Sequence, residues 1–175
     1  MANEKENLYL FEAIELRSQY DRLINLLENT LNEDDHNKSF LRNEEEIKEP
    51  AKDFNPNEID EQLKKIQTKR VKLNQEIQKA NFTTNINFDG EKISLAEALD
   101  VRKNLNADLN IVSEKVKNSA YKKIIYKEKR DIVHEPKISF LVLYKKFNED
   151  LARLKTLTKS IHIANHKTKI AFKEE

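Results

Sequence analysis

Apolar side chains recur at alternating spacings of three and four residues in four separate segments of the chain. This spacing places them on one face of an α-helix, so each segment is predicted to be a helix with one buried face. A mean spacing of about 3.5 residues is typical of helices that wrap around one another with a left-handed twist. The predicted inward positions are Leu10, Ala13, Arg17, Tyr20, Ile24, Leu27 and Leu31 in the first helix; Ile59, Leu63, Ile66, Arg70, Leu73, Ile77 and Ala80 in the second; Leu95, Ala98, Arg102, Leu105, Leu109, Val112 and Val116 in the third; and Phe140, Leu143, Phe147, Asp150, Leu154, Leu157, Ile161 and Ala164 in the fourth, which is predicted to start near Pro136.

The second and third helices have recognisable start signals. Asn55 precedes Pro56, which suits the first helical position, and Glu58 completes a capping box with Asn55. Ser94 and Glu97 form the same pattern before the third segment. We therefore expect these two helices to begin immediately after Asn55 and Ser94.

The two halves of the chain resemble each other. The segment Leu10–Arg17 reads LFEAIELR, and Leu95–Arg102, which lies 85 positions later, reads LAEALDVR. Five further residues recur 84 positions later, where Leu73, Ile77, Ala80, Asn81 and Thr84 match Leu157, Ile161, Ala164, Asn165 and Thr168. Two matches at nearly one offset predict tandem copies of a helix–loop–helix unit, at residues 7–84 and 93–168.

The predicted fold class is all-α. With one Gly, three Pro and 36% charged residues, the composition favours long solvated helices. Together with the repeat, it predicts an elongated, left-handed, antiparallel four-helix bundle made from two tandemly repeated helical hairpins, which form one domain.

The connections between the helices carry opposite charge. Residues 32–55 contain eight acids and four bases, and their few apolar residues show almost no regular spacing. We expect a long, mobile acidic loop there. The basic loop at residues 117–136 contains six bases and one acid in its first fourteen positions. Alternating apolar residues predict a short β-hairpin around Lys123–Tyr126 and Asp131–Val133. The Asp89-Gly90 pair marks a turn between the two units.

The composition excludes several classes of function. A single Gly rules out the glycine-rich loops that hold nucleotide phosphates, and the absence of Cys rules out disulfides, thiolate zinc sites and cysteine nucleophiles. A net charge of +1 argues against nucleic acid as a partner. We find no signal-peptide pattern and no apolar run long enough to span a membrane, so we expect a cytoplasmic protein.

Arginine on an apolar helix face is the most unusual feature of the pattern, because a buried guanidinium needs a partner. Arg17 and Arg102 occupy equivalent positions of the repeat. We expect two equivalent polar core layers, which contain Glu12, Arg17 and Asn81 in the first unit and Glu97, Arg102 and Asn165 in the second. Their expected role is to fix the register of helix pairing; a pocket for a ligand or anion is the alternative.

Arg70 and Asp150 are further polar residues on apolar faces. An ion pair between the second and fourth helices would satisfy both. His162 and His166 are four positions apart on the last predicted helix, but the spacing lacks the glutamate of a metalloprotease helix. We expect them to be surface residues and predict no metal and no cofactor.

The basic loop is the predicted contact segment. It interleaves bases with tyrosines, and contact with another protein or with the acidic loop of the same or a neighbouring chain is the favoured interpretation. Stacking of the tyrosines on nucleic-acid bases is the weaker alternative. The residues of this segment are Tyr121, Lys122, Lys123, Tyr126, Lys127, Lys129 and Arg130.

Four short motifs resemble the septicolysin-like family of small bacterial helical proteins. They lie within Leu10–Arg17, Ile77–Thr84, Leu95–Arg102 and Ile161–Asn165, and the resemblance extends over about residues 8–165. The family is largely uncharacterised, and its name implies a cytolysin or pore former. It usually has Asn-Trp near the end of the last helix, where this chain has Asn165-His166.

The sequence favours a cytoplasmic, oligomeric helical scaffold or protein-interaction module over an enzyme. An enzyme or ligand-binding bundle that uses the layers of Arg17 and Arg102 is a further alternative. Apolar residues beside the inward faces would bury a second face against another copy of the chain. These residues are Leu16, Leu23, Leu26, Val101 and Ile111. A membrane-active cytolysin, as the resemblance implies, is the alternative function.

Overall fold

Four helices make up most of the part of the chain that the structure describes. The computed structural model describes residues 7–36, 51–127 and 130–173. The helices are α1 at Leu10–His36, α2 at Pro56–Thr83, α3 at Leu95–Ser119 and α4 at Phe140–Lys167. The predicted acidic loop starts too early, because α1 continues through His36. Most of that segment, residues 37–50, lies outside the described residues.

The described chain is mostly helical, as predicted, but six short strands in three antiparallel pairs add to the helices. β1 at Asn7–Tyr9 pairs with β6 at Lys169–Ala171. β2 at Asn85–Phe88 pairs with β3 at Glu91–Ser94, and β4 at Lys123–Lys127 pairs with β5 at Arg130–His134. The last pair confirms the predicted basic hairpin, which is slightly longer than expected.

The chain divides into two compact units. The first contains Met1–Ala80 and His166–Glu175, and the second contains Asn81–Asn165. These units differ from the predicted boundaries, because the C-terminal strand β6 pairs with β1 and therefore belongs with the start of the chain.

The core of each unit follows the predicted helical faces. Every buried apolar side chain in the described helices lies at a predicted inward position. In the first unit these residues are Leu10, Ala13, Tyr20, Leu63, Leu73, Ile77 and Ala80, to which the C-terminal segment adds Ile170 and Phe172. In the second unit they are Leu95, Ala98, Leu105, Leu109, Val112, Leu143, Leu157, Ile161 and Ala164, with Ile86 and Phe88 from β2.

The capping box predicted before α3 is confirmed. The Glu97 backbone N–H donates to the Ser94 hydroxyl over 3.2 Å, and the Ser94 backbone N–H donates to a Glu97 carboxylate oxygen over 2.7 Å. These bonds satisfy two N–H groups that have no partner within the helix. The Ser94 hydroxyl also donates to the same carboxylate oxygen over 2.8 Å. The backbone and hydroxyl donors of Ser94 lower the pKa of Glu97, because they stabilise its charged form.

α2 begins at Pro56, as predicted, but with a different cap. The Asn55 side-chain oxygen accepts from the Asn57 backbone N–H over 3.1 Å, and the Asn55 amide donates to the Glu58 carboxylate over 2.8 Å. This arrangement satisfies one helix donor and fixes the Asn55 side chain. The predicted start of α4 near Pro136 is wrong, because the helix begins at Phe140.

The turn between β2 and β3 is built by Asp89 and Gly90. Their φ angles are 50° and 85°, both in the left-handed region that tight hairpin turns require. Arg153 of α4 donates to the Asp89 carboxylate from Nη2 over 2.6 Å and from Nε over 3.2 Å. The predicted turn is therefore the tip of a hairpin that α4 contacts within the second unit.

Candidate interaction surface

Glu12 and Glu97 do not serve the polar layers predicted for them. A Glu12 carboxylate oxygen accepts from the Tyr9 backbone N–H over 2.8 Å, and Glu97 accepts from the Ser94 backbone N–H over 2.7 Å. Both carboxylates therefore cap the start of a helix. The physical reason is that a glutamate three positions after the last non-helical residue lies beside free backbone donors and a favourable helix dipole.

Arg17 contacts a partner other than Asn81. Its Nη1 donates to Oδ1 of Asn74 over 3.1 Å, so Asn74 supplies the amide that the guanidinium needs. One helical turn further along α1, Asp21 accepts from Nε of Arg70 over 2.9 Å. These two contacts set the antiparallel register of α1 and α2 within the first unit.

Among the described residues, no hydrogen bond is found that joins Asn81, Arg102 and Asn165 to one another. Asn81 is buried and Asn165 and Arg102 are half-buried in the second unit. Within the described chain, the Arg102 side chain has no recorded hydrogen bond or ion pair, although its backbone carbonyl accepts from the Asn106 amide over 2.9 Å. The polar layers thus remain a prediction for these three residues.

The ion pair predicted between Arg70 and Asp150 is replaced by other contacts. Arg70 pairs with Asp21, and the Asp150 carboxylate lies 4.0 Å from Nη1 of Arg153, one turn along the same helix. The first pair is about 40% exposed at each side chain, so solvent screens it. Sequence periodicity identified these as polar positions on apolar faces but assigned them the wrong partners.

Both predicted histidines, His162 and His166, lie on the surface, as expected. His166 contacts Phe11, with ring centroids 4.3 Å apart, and Phe11 stacks on Tyr9 at 6.1 Å. The Lys169 ammonium lies 4.9 Å from the centre of the Tyr9 ring. Within the described residues, no three His, Asp or Glu side chains come together as a metal site would require.

The basic hairpin formed by β4 and β5 exposes apolar side chains on both of its faces. Its register pairs Ile124 with Val133 and Ile125 with Ile132, and all four side chains are 44–50% exposed. Successive residues of a strand point to opposite faces, so each face carries one of these pairs. Tyr126 in β4 is also highly exposed.

The hairpin formed by β2 and β3 gives a direct comparison within the same unit. Its alternate residues Ile86 and Phe88 are each only 8% exposed, so one face of that hairpin is packed on the core. None of the described side chains in the strands of the basic hairpin is buried. An isolated two-stranded sheet is marginally stable in water, which makes the uncovered apolar pairs of the basic hairpin a notable feature.

The charges of the basic hairpin are unevenly placed. Lys122 donates to the Glu135 carboxylate over 2.5 Å, and this contact lowers the pKa of Glu135. Lys123 and Arg130 are exposed, and no ion pair is recorded for either of them in the parts of the chain that the structure describes. Two of the predicted contact residues, Lys127 and Lys129, have side chains outside the described part of the structure.

The first turn of α4 is a second exposed apolar surface, which we name the α4 patch. Among its residues, Leu141 is 72% exposed and Val142 is 61% exposed. The rings of Phe140 and Tyr144 stack at 5.6 Å and lie nearly parallel. Leu143 in the same turn is buried. The α4 patch consists of Ile138, Phe140, Leu141, Val142 and Tyr144.

A groove lies beside the α4 patch. Its volume is about 260 Å³, and it runs between the end of α3 and the start of α4 within the second unit. Ile138 and Leu143 give it an apolar wall, and Lys115 and Asn118 give it a polar rim. An apolar groove with a polar rim has the composition of a binding surface for an apolar side chain.

Sequence reasoning missed the α4 patch. The signal was present in the run Phe140–Tyr144, where five apolar residues follow one another at the start of a helix. A helix that buries one face needs apolar residues on that face alone, and an apolar residue at every position predicts contacts on several sides. The predicted basic contact segment lies in the neighbouring β4–β5 hairpin, and its role as a contact stays a prediction.

Within the described residues, no helix combines the length and the apolar composition that crossing a membrane requires.

Comparisons with known proteins identify a shared fold. No family model and no curated protein matches the sequence. The chain is similar in structure to a conserved protein of unknown function from Corynebacterium diphtheriae, whose crystal structure has been solved. The two share 23% sequence identity with a TM-score of 0.70, over 94% of this chain and 99% of the other. This likeness concerns the fold alone.

Proposed function

We propose that this chain is a helical scaffold that acts as a protein-interaction module, and that the α4 patch joins copies of the chain into an oligomer. The observation that carries this proposal is the exposure of an apolar helix turn. In the run Phe140–Tyr144, Leu143 is the one side chain that is buried. Exposed contiguous apolar surfaces mark interaction sites in soluble proteins.

The distribution of exposed apolar residues supports the same surface. The described chain has eighteen exposed large apolar residues, and eleven of them lie within residues 121–144. The remaining seven are spread over all four helices, as isolated exposed residues usually are. The second unit therefore concentrates its unpaired apolar area at the basic hairpin and the α4 patch.

The chemistry of the α4 patch suits a second protein. Phe140 and Tyr144 form a rigid stacked pair, and aromatic residues are enriched among those that contribute most to binding energy. Leu141 and Val142 add flexible and β-branched area beside them, while Lys137 and Lys145 provide a charged margin. An apolar centre with a polar margin is the usual anatomy of a protein interface.

We also infer that the chain arose by tandem duplication and forms a left-handed antiparallel four-helix bundle. Equivalent hydrogen bonds support the duplication: Leu10 N–H donates to the Thr168 carbonyl and Leu95 N–H to the Thr84 carbonyl, each over 2.8 Å. The equivalent glutamate caps at Glu12 and Glu97 agree with this. The resemblance to the septicolysin-like family and a cytoplasmic location remain proposals of the same kind.

Multi-angle light scattering over a range of micromolar concentrations tests the self-association. We expect the wild-type chain to show a mass above that of one copy, with the share of oligomer rising with concentration. The double variant Leu141→Glu/Val142→Glu should shift the mass towards one copy, because two carboxylates would have to be desolvated in the interface. Both residues are exposed, so the fold itself should tolerate the change.

A matched control uses the same helix. Leu151 and Ile163 on α4 are also exposed, at 45% and 44%, but lie outside the α4 patch. Leu151→Glu/Ile163→Glu should therefore retain the oligomer. A wild-type chain that stays at the mass of one copy at all concentrations would contradict the proposal, as would equal loss of the oligomer in both double variants.

A membrane-active protein is the second candidate function, and one observation favours it. Tyr121 and Tyr126 are the two most exposed of the large apolar residues in the described chain, and each is followed by a lysine. Tyrosine and lysine are common where a protein meets a lipid headgroup region. Repeating the light scattering with anionic liposomes tests this: transfer of the chain to the liposomes, followed by dye leakage, would support the cytolysin over the scaffold.

A further inference from the structure

The basic hairpin has open edges. β4 and β5 pair with each other alone among the described strands, so the outer edge of each presents backbone N–H and C=O groups that face no other strand. Such an edge is a template for pairing with a further strand, and proteins usually protect it. The charges beside the two edges decide which one is available, and to what kind of chain.

The edge of β4 is basic, while the edge of β5 is nearly neutral. The sequence of β4 and the residues before it reads YKKIIYK and contains three lysines and no acid. The sequence of β5 and the residue after it reads RDIVHE and contains one arginine and two acids. Lys122 and Glu135 pair with each other, so Lys123 is the described lysine of this segment that is left to attract a negatively charged strand.

Apolar side chains flank the same edge. Ile124 and Ile125 lie next to each other in β4, on opposite faces of the hairpin, and each is about half exposed. A strand that added to β4 would place its alternate side chains on these two faces. Lys123 lies on the same face as Ile125, so a strand whose acidic residues lie near Lys123 would place its apolar residues against Ile124 on the other face.

We propose that the open edge of β4 binds an acidic, extended segment of another protein, which adds to the basic hairpin as a third strand. This inference concerns a surface other than the α4 patch and does not depend on self-association. The mode is β-strand addition, in which backbone hydrogen bonds provide affinity and flanking side chains provide specificity. The added strand also converts an isolated two-stranded sheet into a three-stranded one, which is more stable.

Two other anionic partners fit the observations less well. A lipid headgroup or a nucleic-acid phosphate offers acceptors to lysine, but neither provides the alternating donors and acceptors that a strand edge can pair with. The chain as a whole has a net charge of +1, which is low for a nucleic-acid-binding protein. An acidic strand with alternating apolar residues would meet Lys123, the strand edge and Ile124 together.

A set of peptides tests the proposal on the full chain. The probe is an acetylated, amidated peptide of about eight residues that alternates Glu and Val, a length within the usual range for strands. Two further versions carry N-methyl groups on alternate backbone nitrogens, one version for each edge of the peptide. A peptide that alternates Lys and Val is the charge control, and binding is followed by calorimetry.

We expect the Glu-Val peptide to bind and the Lys-Val peptide to fail. One N-methylated version should lose binding, because its pairing edge is blocked, and the other should retain it. Lys123→Glu should weaken binding by roughly tenfold, since it replaces an attraction by a repulsion. Lys103→Glu, an exposed site on α3 without a recorded ion pair in the described chain, should have no effect.

Several results would overturn the proposal. Equal binding of both N-methylated versions would show that charge alone attracts the peptide, without strand addition. Tighter binding to phosphatidylserine vesicles or to a single-stranded oligonucleotide than to the Glu-Val peptide would assign the surface to one of those partners. Absence of peptide binding, in samples whose light scattering still shows the oligomer, would reject the acidic strand while leaving the proposed self-association intact.

Discussion

The backbone N–H of Leu10 donates to the backbone carbonyl of Thr168 over 2.8 Å. Leu10 is the first residue of α1, and Thr168 directly follows the last residue of α4. The bond continues into the pairing of β1 with β6, in which Leu8 lies opposite Ile170. The segment from Thr168 onwards is therefore part of the first unit, and its carbonyl at Thr168 accepts from the first backbone N–H of α1.

This relationship predicts that β6 contributes to the stability of the first unit. Ile170 is 4% exposed, and Ile170→Ala should reduce the free energy of unfolding by about 2–4 kcal/mol, the usual range for removing a buried aliphatic side chain. Ile86 occupies the equivalent place in β2, and Ile86→Ala should have a similar effect if the two units share an origin. Urea denaturation measures both. An Ile170→Ala protein as stable as wild type would show that β6 is not anchored.

The cap of α3 should give a pH-dependent contribution. The pKa of Glu97 is lowered in the folded chain by hydrogen bonds from Ser94, so its carboxylate stabilises the fold above the unfolded pKa of about 4.3. That stability is lost as the pH falls through the lower folded pKa. The difference in unfolding midpoint between wild type and Glu97→Gln should therefore be largest near neutral pH and shrink below about pH 4.

Ser94 and Glu91 supply the comparison variants for this experiment. Ser94→Ala removes the other half of the cap and should cost about 1 kcal/mol. Glu91→Gln changes an exposed glutamate of β3 for which no cap contact is recorded among the described residues, and it should leave the pH profile of wild type unchanged. A Glu97→Gln effect that stays constant from neutral to acid pH would contradict the assigned role of the carboxylate.

The ion pair of Arg70 with Asp21 should be weak but specific. Both side chains are partly exposed, so a double-mutant cycle with alanine at each position should give a coupling energy of about 0.2–1 kcal/mol. For Arg70 and Asp150, the partner expected from the sequence, the stability changes of the two alanine variants should add in the double variant. Coupling with Asp150 that exceeds coupling with Asp21 would contradict the register observed for α1 and α2.

Alanine substitutions at Leu143 and Leu141 should differ in how much folding stability they remove. Leu143 is 7% exposed, and Leu143→Ala should cost about 2–5 kcal/mol of folding stability. Leu141 is mostly exposed, and Leu141→Ala should cost less than about 0.5 kcal/mol. Thermal or urea unfolding of the dissociated chain measures the difference. Equal losses at both positions would mean that Leu141 is packed against the chain itself rather than free to contact a partner.

The buried helical faces could be predicted from the sequence because their period repeats over many turns. The capping box at Ser94 was also readable, since it depends on residues three positions apart, whereas at Asn55 the start of the helix was readable but not the form of its cap. The basic hairpin was placed because its apolar residues alternate within one short segment. In each case, the information lies within a few adjacent residues.

Long-range pairing could not be predicted in the same way. Asn74 and Asn81 are seven positions apart and lie in equivalent places on the α2 pattern, so periodicity cannot decide which of them meets Arg17. β1 and β6 are three residues long and far apart in sequence, and neither shows a strand pattern by itself. The α4 patch was visible as an apolar run, but its exposure depends on which face the second unit buries.

Hydrogen–deuterium exchange at low and high protein concentration tests the central claim, that copies associate through the α4 patch. The first backbone N–H groups of a helix lack partners within that helix and exchange quickly unless they are covered. We expect exchange at residues 138–144 to slow as the oligomer forms. Unchanged exchange at residues 138–144, with slowing confined to the outer positions Leu23 and Leu26 of α1, would contradict it.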